Sequence, residues 1–195
     1  NCGFGFAPIP PHLRERAMMS MTRNEAISFE TMKEGMQWDK YGWETMPQWF
    51  DHLKRIPLGV NATALVPLNP LYAYVMGGID EAKERRPTAK EKKEMIRLMY
   101  EAMDHGACGF SYQRCGVPSV QPDWDGSPMI TDMLPDAEII EFGKALGEYG
   151  RGFIEMFDGA PSDHATVEEF MTTLARASNR PIVRNILLAN DEYPK

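Results

Sequence analysis

Beyond residue 57 the spacing of apolar positions changes period several times, and each change predicts an element. Residues 58–66, LGVNATALV, form a short uncharged run closed by Pro67, the pattern of a strand buried on both faces. Thr88-Ala-Lys-Glu91 has the form of a capping box, and Met95, Ile96, Met99 and Met103 recur at helical spacing behind it. That helix is predicted to run to about Asp104 and to stop at Gly106. Residues 107–112, ACGFSY, predict the next strand, and a polar loop rich in Pro and Gly follows over 113–134.

Pro135 suits a helix start, and Ile139, Ile140, Phe142, Leu146 and Tyr149 give the following helix a buried side. Residues 152–157 predict a strand, Thr166 and Glu169 cap a helix reaching about Ala177, and residues 182–188 predict a last strand. The front of the chain differs. Residues 13–26, 31–38 and 44–55 predict helices, with Trp43, Trp49, Phe50 and Leu53 on one apolar side. The organisation expected is a helical excursion over 11–56 followed by βα repeats over 57–195.

Strands alternating with helices imply a parallel sheet with right-handed crossovers. An open doubly wound sheet and a closed barrel both satisfy that pattern. The chain opens at what reads as the lip of one strand and stops just after another. The expected fold is therefore α/β, a partial (β/α)8 barrel of the triosephosphate-isomerase type, from the end of the second strand through the sixth. On this reading the chain is a fragment whose partner is the remainder of its own barrel, and it is inactive alone.

Charge narrows the functions. The net charge is −7, and the basic clusters at 83–86 and 90–93 are interleaved with acids, so no surface suited to nucleic acid is expected. No apolar run approaches the roughly 20 residues of a membrane span. Three irregularly spaced cysteines, Cys2, Cys108 and Cys115, match neither a disulfide framework nor a zinc module, and they suit a reducing, cytoplasmic compartment.

In parallel α/β folds reactive groups gather where strands end. The predicted lips hold Asn1 and Cys2; Asn69; Ser111, Gln113 and Arg114; Glu155 and Asp158; and Asn185, Asn190 and Asp191. Arg114, with its forked guanidinium, is the candidate to grip a substrate carboxylate, the alternative being an ion pair with Asp123 or Asp125. Ser111 is placed to donate a hydrogen bond beside it, or to cap local backbone. Phe4 and Phe6 either wall a pocket or pack over the barrel mouth. His12, His52, His105 and His164 fall on helices or their ends, away from the lips.

NCGFGFAP at 1–8, PLGVN at 57–61 with LVP at 65–67, YVMG at 74–77, and GACGFS at 106–111 followed by Gln113 and Arg114 together resemble the D-aminoacylase branch of the amidohydrolase superfamily. The resemblance runs through nearly the whole chain in order, including the DWDGSPM loop at 123–129. It implies a barrel holding one or two zinc ions, and hydrolysis of a non-peptide carbon–nitrogen bond in an N-acyl amino acid or related small molecule. Zinc would lower the pKa of its bound water to roughly 7.

The resemblance places Cys2 as a zinc thiolate. Ser111, Gln113 and Arg114 fall on the substrate side. The histidines that the family carries on its fifth and sixth strands are absent here, and their places fall near Glu155 and Asn185. Glu155 is the candidate to supply a carboxylate oxygen to the metal, and the general base is expected outside this chain. Two rivals stand beside this reading. One is a barrel descendant without metal that binds a small ligand. The other is an amidase with Cys2 as nucleophile, whose chemistry wants that cysteine first, where Asn1 stands.

Overall fold

The computed structural model describes residues 3–158 and 166–185. Helices α1 (Arg14–Glu25), α2 (Phe29–Met36), α3 (Trp38–Tyr41) and α4 (Met46–Leu53) form the front of the chain. The excursion expected over 11–56 is thus helical, although its second helix breaks at Gln37, which takes a left-handed conformation. Ser28 caps α2 by accepting from Thr31 N. Thr45 and Gln48 close a capping box on α4.

Strand β1 (Val66–Pro67) leads directly into α5 (Leu68–Met76) and α6 (Ile79–Glu84), followed by α7 (Ala89–Asp104), β2 (Gly109–Arg114), α8 (Asp136–Tyr149), β3 (Phe153–Asp158), α9 (Val167–Ser178) and β4 (Ile182–Arg184). All ladders are parallel, and the sheet order is β1-β2-β3-β4. The fold is therefore α/β, built on a parallel sheet. No described helix is long and apolar enough to cross a membrane.

Two expectations need correction, and one helix was not expected. The strand expected over 58–66 is only two residues long. Leu58 and Val60 stand in solvent, Val60 77% exposed, because Pro57, Gly59 and Asn61 interrupt the run and β1 has a described neighbour on one side only. The stretch after Pro67 is helix: Pro70 falls in the first turn of α5, where its missing N–H costs nothing. Gln113 and Arg114, expected in a loop, complete β2, because buried partners meet both polar side chains.

The capping box on α7 forms as its sequence predicts, with Thr88 Oγ1 accepting from Glu91 N and the Glu91 carboxylate accepting from Thr88 N. Met95, Met99 and Met103 are buried along one side of that helix. Replacing Thr88 with alanine removes one half of the box. It should lower unfolding free energy by about 1 kcal/mol in urea titration with no change in the slope.

Residues paired across a parallel ladder point to the same side. Phe110, Tyr112 and Arg114 of β2 align with Ile154, Met156 and Asp158 of β3. This side carries the crossover helices: Phe110 and Tyr72 both lie about 6 Å from the Phe142 ring of α8. Helices α7, α8 and α9 pack beside one another in chain order. Ser111, Gln113, Glu155 and Phe157 occupy the opposite side, termed here the inner face.

Candidate functional site

The turn that begins at Gly3 lies across the ends of the strands. Gly3 N donates to Ser111 Oγ at 3.2 Å, while Gly3 O accepts from Asn69 N at 3.2 Å, stapling the turn to β2 and to the start of α5. Ser111 is fully buried beneath it. Glu155, in register with Ser111, is also buried on the inner face. Beside Ser111 along β2, Gln113 donates through Nε2 to Gln121 O at 2.9 Å and to Asp132 Oδ1 at 3.0 Å.

Asp132 organises the loop that follows β2. Its carboxylate accepts from Cys115 N and Met129 N, each at 2.8 Å, in addition to Gln113. Burial raises its pKa, opposed by these hydrogen bonds. Burial, helped by the charge of Asp132, pushes the neighbouring Cys115 thiol up to about 12, so Cys115 is a neutral thiol near pH 7.

Arg114 points the other way. It is 1% exposed, and its Nε donates to Asp158 Oδ2 at 3.0 Å while Nη1 is ion-paired with Asp136. Its guanidinium carbon lies 4.3 Å from the centre of the Phe170 ring. Burial works against the charge, but Asp158 and Asp136 outweigh it and hold the guanidinium pKa above its ordinary value. Of the three residues expected on the substrate side, the fold brings Ser111 and Gln113 together with Glu155 on the inner face. Arg114 faces the helices, and its partners are Asp136 and Asp158 rather than Asp123 or Asp125.

Asp123 holds a separate network that sequence reasoning reduced to a possible partner of Arg114. Its carboxylate accepts from Arg16 at 2.8 Å, from Lys83 at 2.6 Å, from Trp124 N at 2.8 Å and from Ser20 Oγ. These contacts tie the loop to α1 and α6. Burial opposes ionisation, but the hydrogen bonds from Lys83, Ser20 and Arg16 outweigh it and bring the Asp123 pKa down to about 2. A depressed carboxylate pKa stabilises the fold above its unfolded value and loses that contribution as pH falls through the folded one. Unfolding free energy should therefore decline from about pH 4 towards pH 2, and Asp123→Asn should flatten that limb in denaturant titrations run across the interval.

A groove of about 400 Å³ opens between the turn after Gly3, α1, α4 and β1. Phe4, Phe6, Met21, Met46, Trp49 and Leu65 contribute its apolar walls. Phe6 lines the groove and also packs edge-on against Trp38 at 5.4 Å.

Among the described residues no group of three or more His, Cys, Asp and Glu is placed to hold a metal ion. His12 lies in a short 3-10 turn before α1, His52 in α4 and His105 at the end of α7, on helices or their ends as expected. Cys2, His164, Asn190 and Asp191 lie outside the described residues. Glu155 is thus the one expected metal ligand that the fold places, and the described residues do not make up a zinc centre.

No family model matches the chain, and no solved structure matches it. It is similar to uncharacterized proteins of Mycobacterium tuberculosis (strain H37Rv) and Mycobacterium bovis, each 28% identical over 111 residues. The match takes in 56% of this chain and spans 18% of the length of either relative.

Proposed function

We propose that this chain is part of a hydrolase of carbon–nitrogen bonds other than peptide bonds, acting on an N-acyl amino acid or a related amide, and built on a (β/α)8 barrel. The hydrolytic part of this reading rests on the family resemblance, and the observation that supports its barrel is the winding of the sheet. Strand order equals chain order, every ladder is parallel, and the crossover helices follow one another along one face. A doubly wound sheet reverses direction at a switch point and covers both faces, whereas a barrel keeps winding one way.

The inner face then becomes the barrel interior. Gln113 stands near the C-terminal end of β2, where barrel enzymes place substrate groups, and Ser111 and Glu155 pair mid-strand on the same face. In this proposal Ser111 and Gln113 orient a polar substrate, and Asp132 fixes the amide of Gln113 so that it does not rotate on binding. Arg114 acts as a positioning residue, locking the ends of β2 and β3 together from the helix side. Zinc belongs to the proposal through the family resemblance, with Cys2 as its thiolate ligand and Glu155 as a carboxylate ligand.

The test is an assay of the protein carrying this chain with N-acetyl and longer N-acyl amino acids of both hands, reading the free amino acid released. Hydrolysis abolished by 1,10-phenanthroline and restored by zinc is the expected result. A protein that binds these amides without hydrolysing them, and whose binding ignores the chelator, would favour the ligand-binding descendant instead.

A further inference from the structure

The groove beside β1 meets the inner face at two points. Pro67, which lines the groove, is in register with Ser111 and so belongs to the same side of the sheet. Gln121 lines it too, and its main-chain O accepts from Gln113 Nε2 at 2.9 Å. The groove therefore runs outward from the two residues proposed to orient the substrate. Its walls are open to solvent: Phe6 on the turn, Met21 on α1, Trp49 on α4 and Ala64 before β1 are each half-buried. Its volume of about 400 Å³ falls within the range of small-molecule sites, about 300–1,000 Å³, which are mostly apolar with few polar groups. Among the described residues its one charged lining residue is Glu25, exposed at the last position of α1, and no lysine or arginine lines it.

We propose that this groove seats the acyl chain of the substrate, and that the chain it selects is a long uncharged aliphatic one rather than acetyl. The inference rests on the reading of the inner face as the substrate site. Charge decides which half of an N-acyl amino acid enters. The half that carries the carboxylate would meet apolar walls and the like charge of Glu25, with no cation to receive it. The acyl half carries only carbon beyond its carbonyl, and each methylene fully taken from water tightens binding about fourfold. Size points the same way. At about 30 Å³ for each heavy atom, the share of a water in the liquid, an acetyl group fills about 90 Å³ and an eight-carbon chain about 240 Å³.

The experiment is a calorimetric titration of the protein carrying this chain with ketone analogues in which CH2 replaces the amide N–H, so that no carbon–nitrogen bond is present and binding is read apart from turnover. 4-Oxopentanoate stands for N-acetylglycine and 4-oxoundecanoate for N-octanoylglycine. The second should bind about 30-fold more tightly, its six added methylenes being partly covered in an open groove. 2-Hexyl-4-oxopentanoate, an isomer of equal carbon number with the chain on the amino-acid side, should gain about threefold at most, and 4-oxoundecanedioate, with a second carboxylate at the far end, should lose about tenfold against 4-oxoundecanoate. Ala64→Met fills the groove and Met21→Glu puts a charge on another wall; each should cut the preference for 4-oxoundecanoate over 4-oxopentanoate about tenfold. Both ligands are titrated into the same variant, so a loss of folded protein cancels from the ratio. Equal binding of 4-oxopentanoate and 4-oxoundecanoate to the unaltered protein would overturn the acyl seat, as would a preference that neither variant reduces. A gain by the 2-hexyl isomer as large as that of 4-oxoundecanoate would assign the groove to the amino-acid side chain instead. No saturation by any analogue up to about 10 mM would overturn the seat together with the substrate reading of the inner face, whereas the expected ranking without hydrolysis of the amides would keep the seat and remove the hydrolase.

Discussion

Replacing Arg114 with methionine is expected to lower unfolding free energy by about 3–5 kcal/mol near neutral pH, because it strands two carboxylates in a site built around one cation. Asp136 comes from the first turn of α8 and Asp158 from the end of β3, and both are buried with Arg114 between them. Methionine keeps the volume and the contact with Phe170, so the loss isolates charge rather than packing. Deprived of the guanidinium, the two carboxyls should hold protons more tightly in the folded variant than in the unfolded chain. Folded pKa values above unfolded ones give stability that is present at low pH and lost as pH rises. The deficit should therefore be small near pH 4 and grow towards pH 7. Arg114→Lys keeps one charge but not the fork that reaches both carboxylates, and should fall between the two. Adding Asp136→Asn and Asp158→Asn to the methionine variant should recover part of the loss. Urea titrations at the two pH values measure all of these, and a methionine variant within about 1 kcal/mol of the parent at neutral pH would show that the cluster does not hold the sheet.

The position of Arg114 was partly legible in the sequence. Within Gly109–Arg114 the period of two puts Arg114 on the side of Phe110 and Tyr112, which is the core side, and away from Ser111 and Gln113. Reading the strand as ending at Tyr112 hid that alternation. What no local pattern displays is the identity of its partners, 22 and 44 positions further along the chain. Asp132 and Asp123 were illegible for the same reason, each deriving its role from contacts with distant elements. Capping is the opposite case. Thr88 and Glu91 specify a helix start within four residues, and that start forms as read. Helix α5 escaped notice because it is buried on several sides, leaving no polar stripe to set a period, and because Pro70 resembles a breaker when its position in the first turn is unknown. The order of the strands is a property of the packed chain. The alternation of elements left open sheet and barrel equally allowed, and the order along the sheet is the observation that favours the barrel in the proposed function.

Gly109→Ala is expected to be the most damaging alanine substitution among the described glycines, either preventing folding or costing about 4 kcal/mol or more. Gly109 opens β2 opposite Phe153, with a positive φ of 138°, and a Cβ built there would lie 1.8 Å from Phe153 O. Nothing flexible stands in the way to yield, since the obstacle is the backbone of the neighbouring strand. Relief requires β2 and β3 to part at their first pair. That shift would carry along the register that sets Ser111 beside Glu155 and Arg114 beside Asp158. Gly150, which ends α8 with a φ of 89° and has open space around its Cβ position, provides the control. Gly150→Ala pays only for the left-handed conformation, about 1–2 kcal/mol. Comparing the two variants by thermal unfolding and near-ultraviolet circular dichroism therefore separates conformational strain, common to both, from backbone collision, confined to Gly109. A Gly109→Ala protein that folds with a loss no larger than that of Gly150→Ala would show that the strands tolerate separation there, and would remove the close pairing on which the inner-face alignment of Ser111 and Glu155 depends.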